Sequence, residues 1–485
     1  MTKPIDTSRR EFLRNASLLS VAGSISTPFA LNLFAMNSAH AATVTDYKAL
    51  VCLYLAGGND SANMVLATET ASRNGYLAAR GGATPNIALN FDTLLPITPR
   101  TYAVGTRTFA LHPNMEGLQT LFADGRAAII ANVGTLVAPI ADKAAYRLDT
   151  TNKPTSLFSH SDQTAQWLTV NPDSPYFGWG GRMGDRLATN NSNSPFANIS
   201  LSGNSIFLAG DTVNQYQLGS NGDPMAIAGI TNLFGASVNP LKDIITNTGT
   251  SARASNVFER DHAAVVERSI AAQAVLRNAL ATSTVNAPAP YPNPWGGLSN
   301  NPLATQLQTV ARIIAANSVL NVNRQIFFVN MGGFDTHNGQ AASHGDLMAR
   351  LAHAVKYFDD TLRLMPNTNG GGFLGDHVTL FTASDFGRTF ASNGSGTDHG
   401  WGGHHFVVGG GVAGQEIYGT FPPTCVDGNG FTNDFDAGSG ALIPTTSVDQ
   451  YAATLASWFG FDTTEIEGLF PNLGQFSPPN LGFML

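Results

Sequence analysis

Charge is scarce in this chain. Of its 485 residues only 12% are charged, about half of the ~25% usual in soluble domains. The formal net charge is −8, and no stretch is rich in lysine or arginine. The basic footprint that grips phosphate backbones is therefore missing, which disfavours nucleic acid as a partner. Cysteine is nearly absent: Cys52 and Cys425 are the two, neither in a CxxC arrangement, so no disulfide framework or structural zinc site is expected. Several catalytic signatures are lacking too. There is no GxSxG, HExxH or GxxxxGKS/T, and the GxGxxG strings at Gly370–Gly375 and Gly409–Gly414 open no helix. Serine-hydrolase elbows, zincin proteases, P-loop enzymes and dinucleotide binders are disfavoured.

What is present is a large supply of core residues, 43% hydrophobic, together with 50 glycines and 25 prolines. This composition describes a loop-rich globular chain without internal repeats. Its first forty residues read as an address. Ser8-Arg9-Arg10-Glu11-Phe12-Leu13-Arg14 precedes a weakly apolar run, Ala16 to Met36, that ends at Ala39-His40-Ala41. The pattern is that of a twin-arginine signal cleaved after residue 41. Gly23, Pro28 and Asn32 dilute the run below what a stable membrane span needs. The expected partner during export is the twin-arginine translocase, and the expected location is the periplasm or the medium. Because that route carries folded cargo, it also hints at a cofactor loaded before export.

Residues 42–485 are expected to form one domain. Four apolar runs of strand length, Ala49 to Ala56, Ala127 to Val133, Gln325 to Met331 and His377 to Ala383, predict strands covered on both faces. Helical spacing is clearest from His344 to Leu364, with further helices over Asp261 to Leu280 and Leu303 to Leu320. The order predicts an α/β fold, a doubly wound and largely parallel sheet flanked by helices. Residues from about 190 to 300 read as an irregular insertion.

Chemistry gathers after the buried strands. The first runs into Gly57-Gly58-Asn59-Asp60-Ser61, the third into Gly332-Gly333-Phe334-Asp335-Thr336-His337, and the fourth into Ser384-Asp385-Phe386-Gly387-Arg388. Parallel strands would bring these ends to one edge of the sheet, where open α/β folds place their sites. Gly396-Thr397-Asp398-His399-Gly400-Trp401-Gly402-Gly403-His404-His405 then returns three imidazoles, of which His399 is the best ligand candidate. Carboxylates and imidazoles crowded together repel or desolvate one another unless a cation joins them, and imidazole favours zinc, manganese or iron. Each aspartate alone is more often a turn or cap residue than a catalytic one. Ser159-His160-Ser161-Asp162 either presents a nucleophilic hydroxyl, Ser159 or Ser161, at a helix N-terminus or simply caps that helix. Arg388 could pair with an anionic substrate oxygen. His112, His160 and His344 read as polar points at helix starts.

The export signal, LAGGNDSAN, FSHSDQ, GGFDTH, SDFGRT and GTDHGWGGHHFVVGG, in this order, resemble the bacterial family called domain of unknown function 1501. That family resembles in turn the alkaline phosphatase and sulfatase superfamily. The resemblance implies metal ligands at strand ends: Asp60 as the first metal-bridging aspartate, Asp335 and His337 as the ligand pair of one metal, Asp385 as the strand-end aspartate and His399 as the late histidine. Phe386 stands where the phosphatases place histidine, and no C/S-x-P-x-R sulfatase nucleophile motif occurs. The expected function is that of an exported metal-dependent hydrolase of phosphate- or sulfate-type esters using one or two divalent ions, zinc or manganese. The alternative is a non-catalytic secreted binding or structural protein on the same fold. A Gly-Asp-Ser-type lipase is a weaker third reading, since no histidine follows His405.

Overall fold

The computed structural model describes residues 46–485 apart from 83–85, 103–106, 149, 151, 171–175, 189–190, 192–193, 220–268, 270, 282, 369–370, 424 and 428–429. The signal expected over residues 1–41, and residues 261–268 and 270 of the helix expected over Asp261 to Leu280, lie outside the described residues. The remainder of that helix, 271–281, is helical.

One nine-stranded sheet organises the chain. Its strands are β1 (Lys48–Leu55), β2 (Ala127–Gly134), β3 (Asn198–Ser200), β4 (Tyr216–Gln217), β5 (Arg324–Met331), β6 (Val378–Ser384), β7 (Gly403–Gly409), β8 (Glu416–Tyr418) and β9 (Thr446–Ser447). They lie side by side in the order β8-β2-β7-β6-β1-β5-β3-β4, with β9 also pairing with β2. Within this sheet β7 alone runs against its neighbours β6 and β2. The other pairings are parallel. The four strands expected from the sequence are all present and share one direction.

The pleat of β1 shows why its run is apolar throughout. Ala49, Val51, Leu53 and Leu55 join a cluster with Leu121 of α2 (Glu116–Ala123), Val310 of α5 (Pro302–Ala315) and Leu351 of α6 (Gln340–Arg363). Leu50, Cys52 and Tyr54 point the opposite way. They meet Trp167 of α3 (His160–Thr169), Trp179 of α4 (Trp179–Leu187), Tyr451 of α7 (Val448–Phe459) and Leu469 of α8 (Thr463–Leu469). Helices thus cover both faces, with α1 (Thr70–Arg80) lying beyond the end of β1. Local signals start the helices where they stand. Asn301 accepts from the Leu303 and Ala304 amides ahead of Pro302, and Ser447 with Gln450 forms a capping box on α7. Among the described residues no helix is long and apolar enough to cross a membrane.

The expectation of an insertion over about 190–300 needs correction in part. β3 and β4 extend the main sheet beyond β5, and Phe196, Ile199 and Leu201 are fully buried in its core. Three- and two-residue strands carry too few apolar positions to stand out from the surrounding Asn, Ser and Gly. From Tyr291 to Ser299 a short hairpin passes over α6, where the Tyr291 hydroxyl donates to Asp346.

Candidate metal centre

β1 lies between β5 and β6, with Leu55 level with both Met331 and Ser384. The three loops that follow therefore leave the sheet side by side. Two glycines let them touch. Gly57 has φ +115°, and a Cβ there would sit 2.4 Å from the Asp335 amide nitrogen. At Gly58, φ +79°, it would sit 2.4 Å from the Phe386 ring. A side chain at either position would drive the loops apart.

Asp335 stands at the centre. Its Oδ1 is 3.2 Å from His337 Nε2, 3.6 Å from His399 Nε2 and 3.6 Å from His160 Nε2. The ligand atoms of His160, Asp335 and His399 all fall within 4.8 Å of one another. Each imidazole is held through its other nitrogen. His399 Nδ1 meets the Phe158 carbonyl at 2.7 Å, His337 Nδ1 the Asp398 carboxylate at 3.0 Å, and His160 Nδ1 the Asp385 carboxylate at 2.6 Å. These partners only accept, so each neutral ring carries its proton on Nδ1 and turns a bare Nε2 toward Asp335. His337 and His399 bring two such nitrogens within 2.9 Å. His160 Nε2 is buried without a hydrogen-bond partner. Bare lone pairs this close repel unless a proton or cation joins them.

The surroundings confirm how firmly the group is set. Phe158 has φ +69° and Ser156 φ +54°, conformations that cost on the order of 1–3 kcal/mol each in a non-glycine residue. Phe158 is packed against the cluster that contains buried Trp401, which fixes the carbonyl aimed at His399. Phe386 lies under His160 and His399, 4.8 Å from each ring centre. Burial disfavours the Asp335 carboxylate, yet the Arg388 guanidinium, by its hydrogen bond and its charge, holds its pKa below the usual value. Asp398 is also held low, first by its hydrogen bond from Asn393. Burial lowers the pKa of His399, against the pull of the Phe158 carbonyl. Three carboxylates, Asp335, Asp385 and Asp398, stand here against the one guanidinium of Arg388, a balance that a divalent cation would complete.

Of the residues singled out in the sequence, Asp335, His337 and His399 are brought together, and Asp385 reaches the group through His160 and the Gly57 amide. Three expectations need correction. Asp60 is fully buried, and Arg80 and Gln340 engage both its oxygens. Both oxygens thus serve the buried Arg80 pair, away from the group around Asp335. Arg388 has a fully buried side chain that donates to Asp335 Oδ1 at 2.6 Å and to the Gly57 and Thr397 carbonyls. It clamps Asp335 and is sealed from a substrate by its burial. The hydroxyls of Ser159 and Ser161 contact each other and Asp162, with no bond to the histidines. His404 and His405 are buried with pKa values depressed by burial to about 3. They serve β7: one accepts from the Asn132 amide and the other meets the Thr382 hydroxyl. His344 is buried with its pKa lowered to about 4, its Nε2 beside Asn59.

His160 is the residue that sequence reasoning missed. Its signal in the sequence is a histidine flanked by two serines at the start of a helix.

The family described as Protein of unknown function (DUF1501) matches residues 47–429, and the chain belongs to it. No curated protein matches the chain. Among solved structures, it is similar to a Bacteroides thetaiotaomicron chain described as "Metabolism of multiple glycosaminoglycans by bacteroides thetaiotaomicron is orchestrated by a versatile core genetic locus (BT33494S-sulf)". That similarity covers 86% of this chain and 73% of the other at 10% identity, with a TM-score of 0.32, too slight to bear on function.

Proposed function

We propose that this chain is an exported metal-dependent hydrolase of phosphate- or sulfate-type esters, on an alkaline phosphatase/sulfatase-like fold. The observation that carries the reading is the convergence of three bare imidazole nitrogens on one carboxylate oxygen in a centre with surplus negative charge. His160, Asp335, His337 and His399 would hold one divalent cation, and a set rich in imidazole suits zinc or manganese. Such a cation supplies Lewis acidity when bound, drawing charge from an ester oxygen and acidifying water.

The chain's own residues prepare that centre. Phe158, Asp398 and Asp385 keep the ring protons on Nδ1 and aim each Nε2. Arg388 fixes the Asp335 carboxylate, and the Phe386 ring keeps water from beneath His160 and His399. With Ser159 and Ser161 turned to Asp162, the attacking oxygen is that of water. Those same hydroxyls favour the second reading, a secreted binding protein that keeps the cation without turnover.

Elemental mass spectrometry on protein exported by its own host and purified without chelator tests the proposal. The expected result is about one equivalent of a transition metal, lost in Asp335→Ala/His399→Ala, with turnover of aryl phosphates or sulfates. Metal without turnover of any ester favours the binding protein, and no metal in either sample sinks both readings. Export is tested separately by cell fractionation of an Arg9→Lys/Arg10→Lys variant, which should stay in the cytoplasm.

A further inference from the structure

A cleft of about 530 Å³ opens along α3, one residue beyond His160. Its volume lies within the range of clefts that take small organic ligands. Two of its walls are tied to the metal centre. Ser161 lines the cleft and directly follows His160. Thr135, on the loop after β2, also lines it, and its carbonyl accepts from the indole of Trp401, two residues past His399.

Resting on the hydrolase reading above, we infer that this cleft receives the alcohol part of the ester, and that this part is uncharged and bears hydroxyl groups. The lining carries the argument. Leu136, Val137 and Val448 offer apolar surface, Asn152 and Asn472 offer amides that both donate and accept, and Gln166, whose nitrogen already donates to the Thr155 carbonyl, keeps an amide oxygen without a partner. That is the recognition set for hydroxyls on a partly apolar body. The charged groups of the lining are otherwise engaged. Lys153 donates to the Tyr146 carbonyl at 2.6 Å and lies 4.7 Å over the Tyr146 ring. Asp162 faces the hydroxyls of Ser159 and Ser161, and Asp449 is almost wholly buried. The lining sets one cation, Lys153, against the carboxyls of Asp162 and Asp449, so a polyanion would enter without matching positive charge and at the cost of desolvating its own. The substrate is then a monoester of a neutral polyol rather than a link in a polyanionic chain.

The test is direct binding, read by calorimetry and saturation-transfer NMR with metal-free and metal-loaded protein. The probes are uncharged monosaccharides and their aryl glycosides, beside the same set carrying a carboxylate. At least one uncharged probe should bind both forms. Ala165→Trp, which fills the cleft from α3, should weaken that binding by about tenfold or more, and Gln166→Ala should weaken it less. Asp335→Ala should leave it unchanged. The inference is overturned if no uncharged probe binds, if binding survives both cleft variants, or if carboxylated probes bind better. Metal content of the same samples reports on the hydrolase reading independently, so the two can fail apart.

Discussion

Asp60 and Asp335 stand in the same local setting: a buried strand, two glycines, one further residue and then the carboxylate. What surrounds them could hardly differ more. Asp60 is sealed between the buried Arg80 guanidinium and Gln340, whereas the Asp335 side chain is 48% exposed and faces three imidazoles. Arg80 arrives from α1 and His160 from α3, segments with no sequence relation to either loop. A carboxylate at the end of a strand is thus a structural ion or a ligand according to which distant side chain completes it.

The sharpest way to break this comparison is to remove each carboxylate in turn. Asp60→Ala leaves Arg80 buried and unpaired and should cost about 3–5 kcal/mol of stability, measured by urea unfolding, while metal content per folded molecule stays near that of wild type. Asp335→Ala should do the reverse, losing the metal with little change in unfolding. Acid sharpens the contrast further. Burial opposes the Asp60 charge, but Arg80 holds its folded pKa below the ordinary value. Its contribution is therefore complete above the unfolded pKa of about 3.9 and is lost as pH falls through the folded value. Asp60→Ala should accordingly be least damaging in acid, below that folded value. Equal losses of metal in the two variants would end the distinction drawn here.

A smaller effect is expected one step out from the ligands. Asp385 touches the group through His160 Nδ1, so Asp385→Asn should let the ring turn and weaken metal affinity by roughly 10–100-fold. Competition with a chromogenic chelator measures this, and an unchanged affinity would show that Asp385 only ties β6 to the Gly57 amide.

Much of this was legible beforehand, for identifiable reasons. The strands of the sheet centre were readable because burial on both faces demands unbroken apolar runs, as in β1 and β5. β3 was not, since an edge strand of three residues imposes no such demand. At the site, Asp335, His337 and His399 could be grouped because they follow parallel strands or return soon after one. His160 could not be grouped that way, because its place depends on Asp385, 225 positions away from it. Likewise, nothing in GGND announced Arg80, which comes to Asp60 from the far end of α1.

A third carboxylate tests whether the partner alone decides the outcome. Asp449 lies in the first turn of α7, buried, with one oxygen lacking a hydrogen-bond partner and no salt bridge among the described residues. Burial raises its pKa to about 7, and hydrogen bonds from the Asp449 and Asn472 backbone, with the more distant Arg182 charge, offset this only in part. A carboxyl with a raised folded pKa supports the fold fully below its unfolded value of about 3.9. It withdraws that support as pH rises through about 7. The wild type should therefore lose stability across this window, on the order of 2–3 kcal/mol between pH 5 and 8, and Asp449→Asn should remove that slope. Thermal melts of the two proteins at pH 5 and pH 8 decide it. Parallel shifts would mean that Arg182 already pairs with Asp449 as Arg80 pairs with Asp60, and that a cation need not touch a buried carboxylate to hold it ionised.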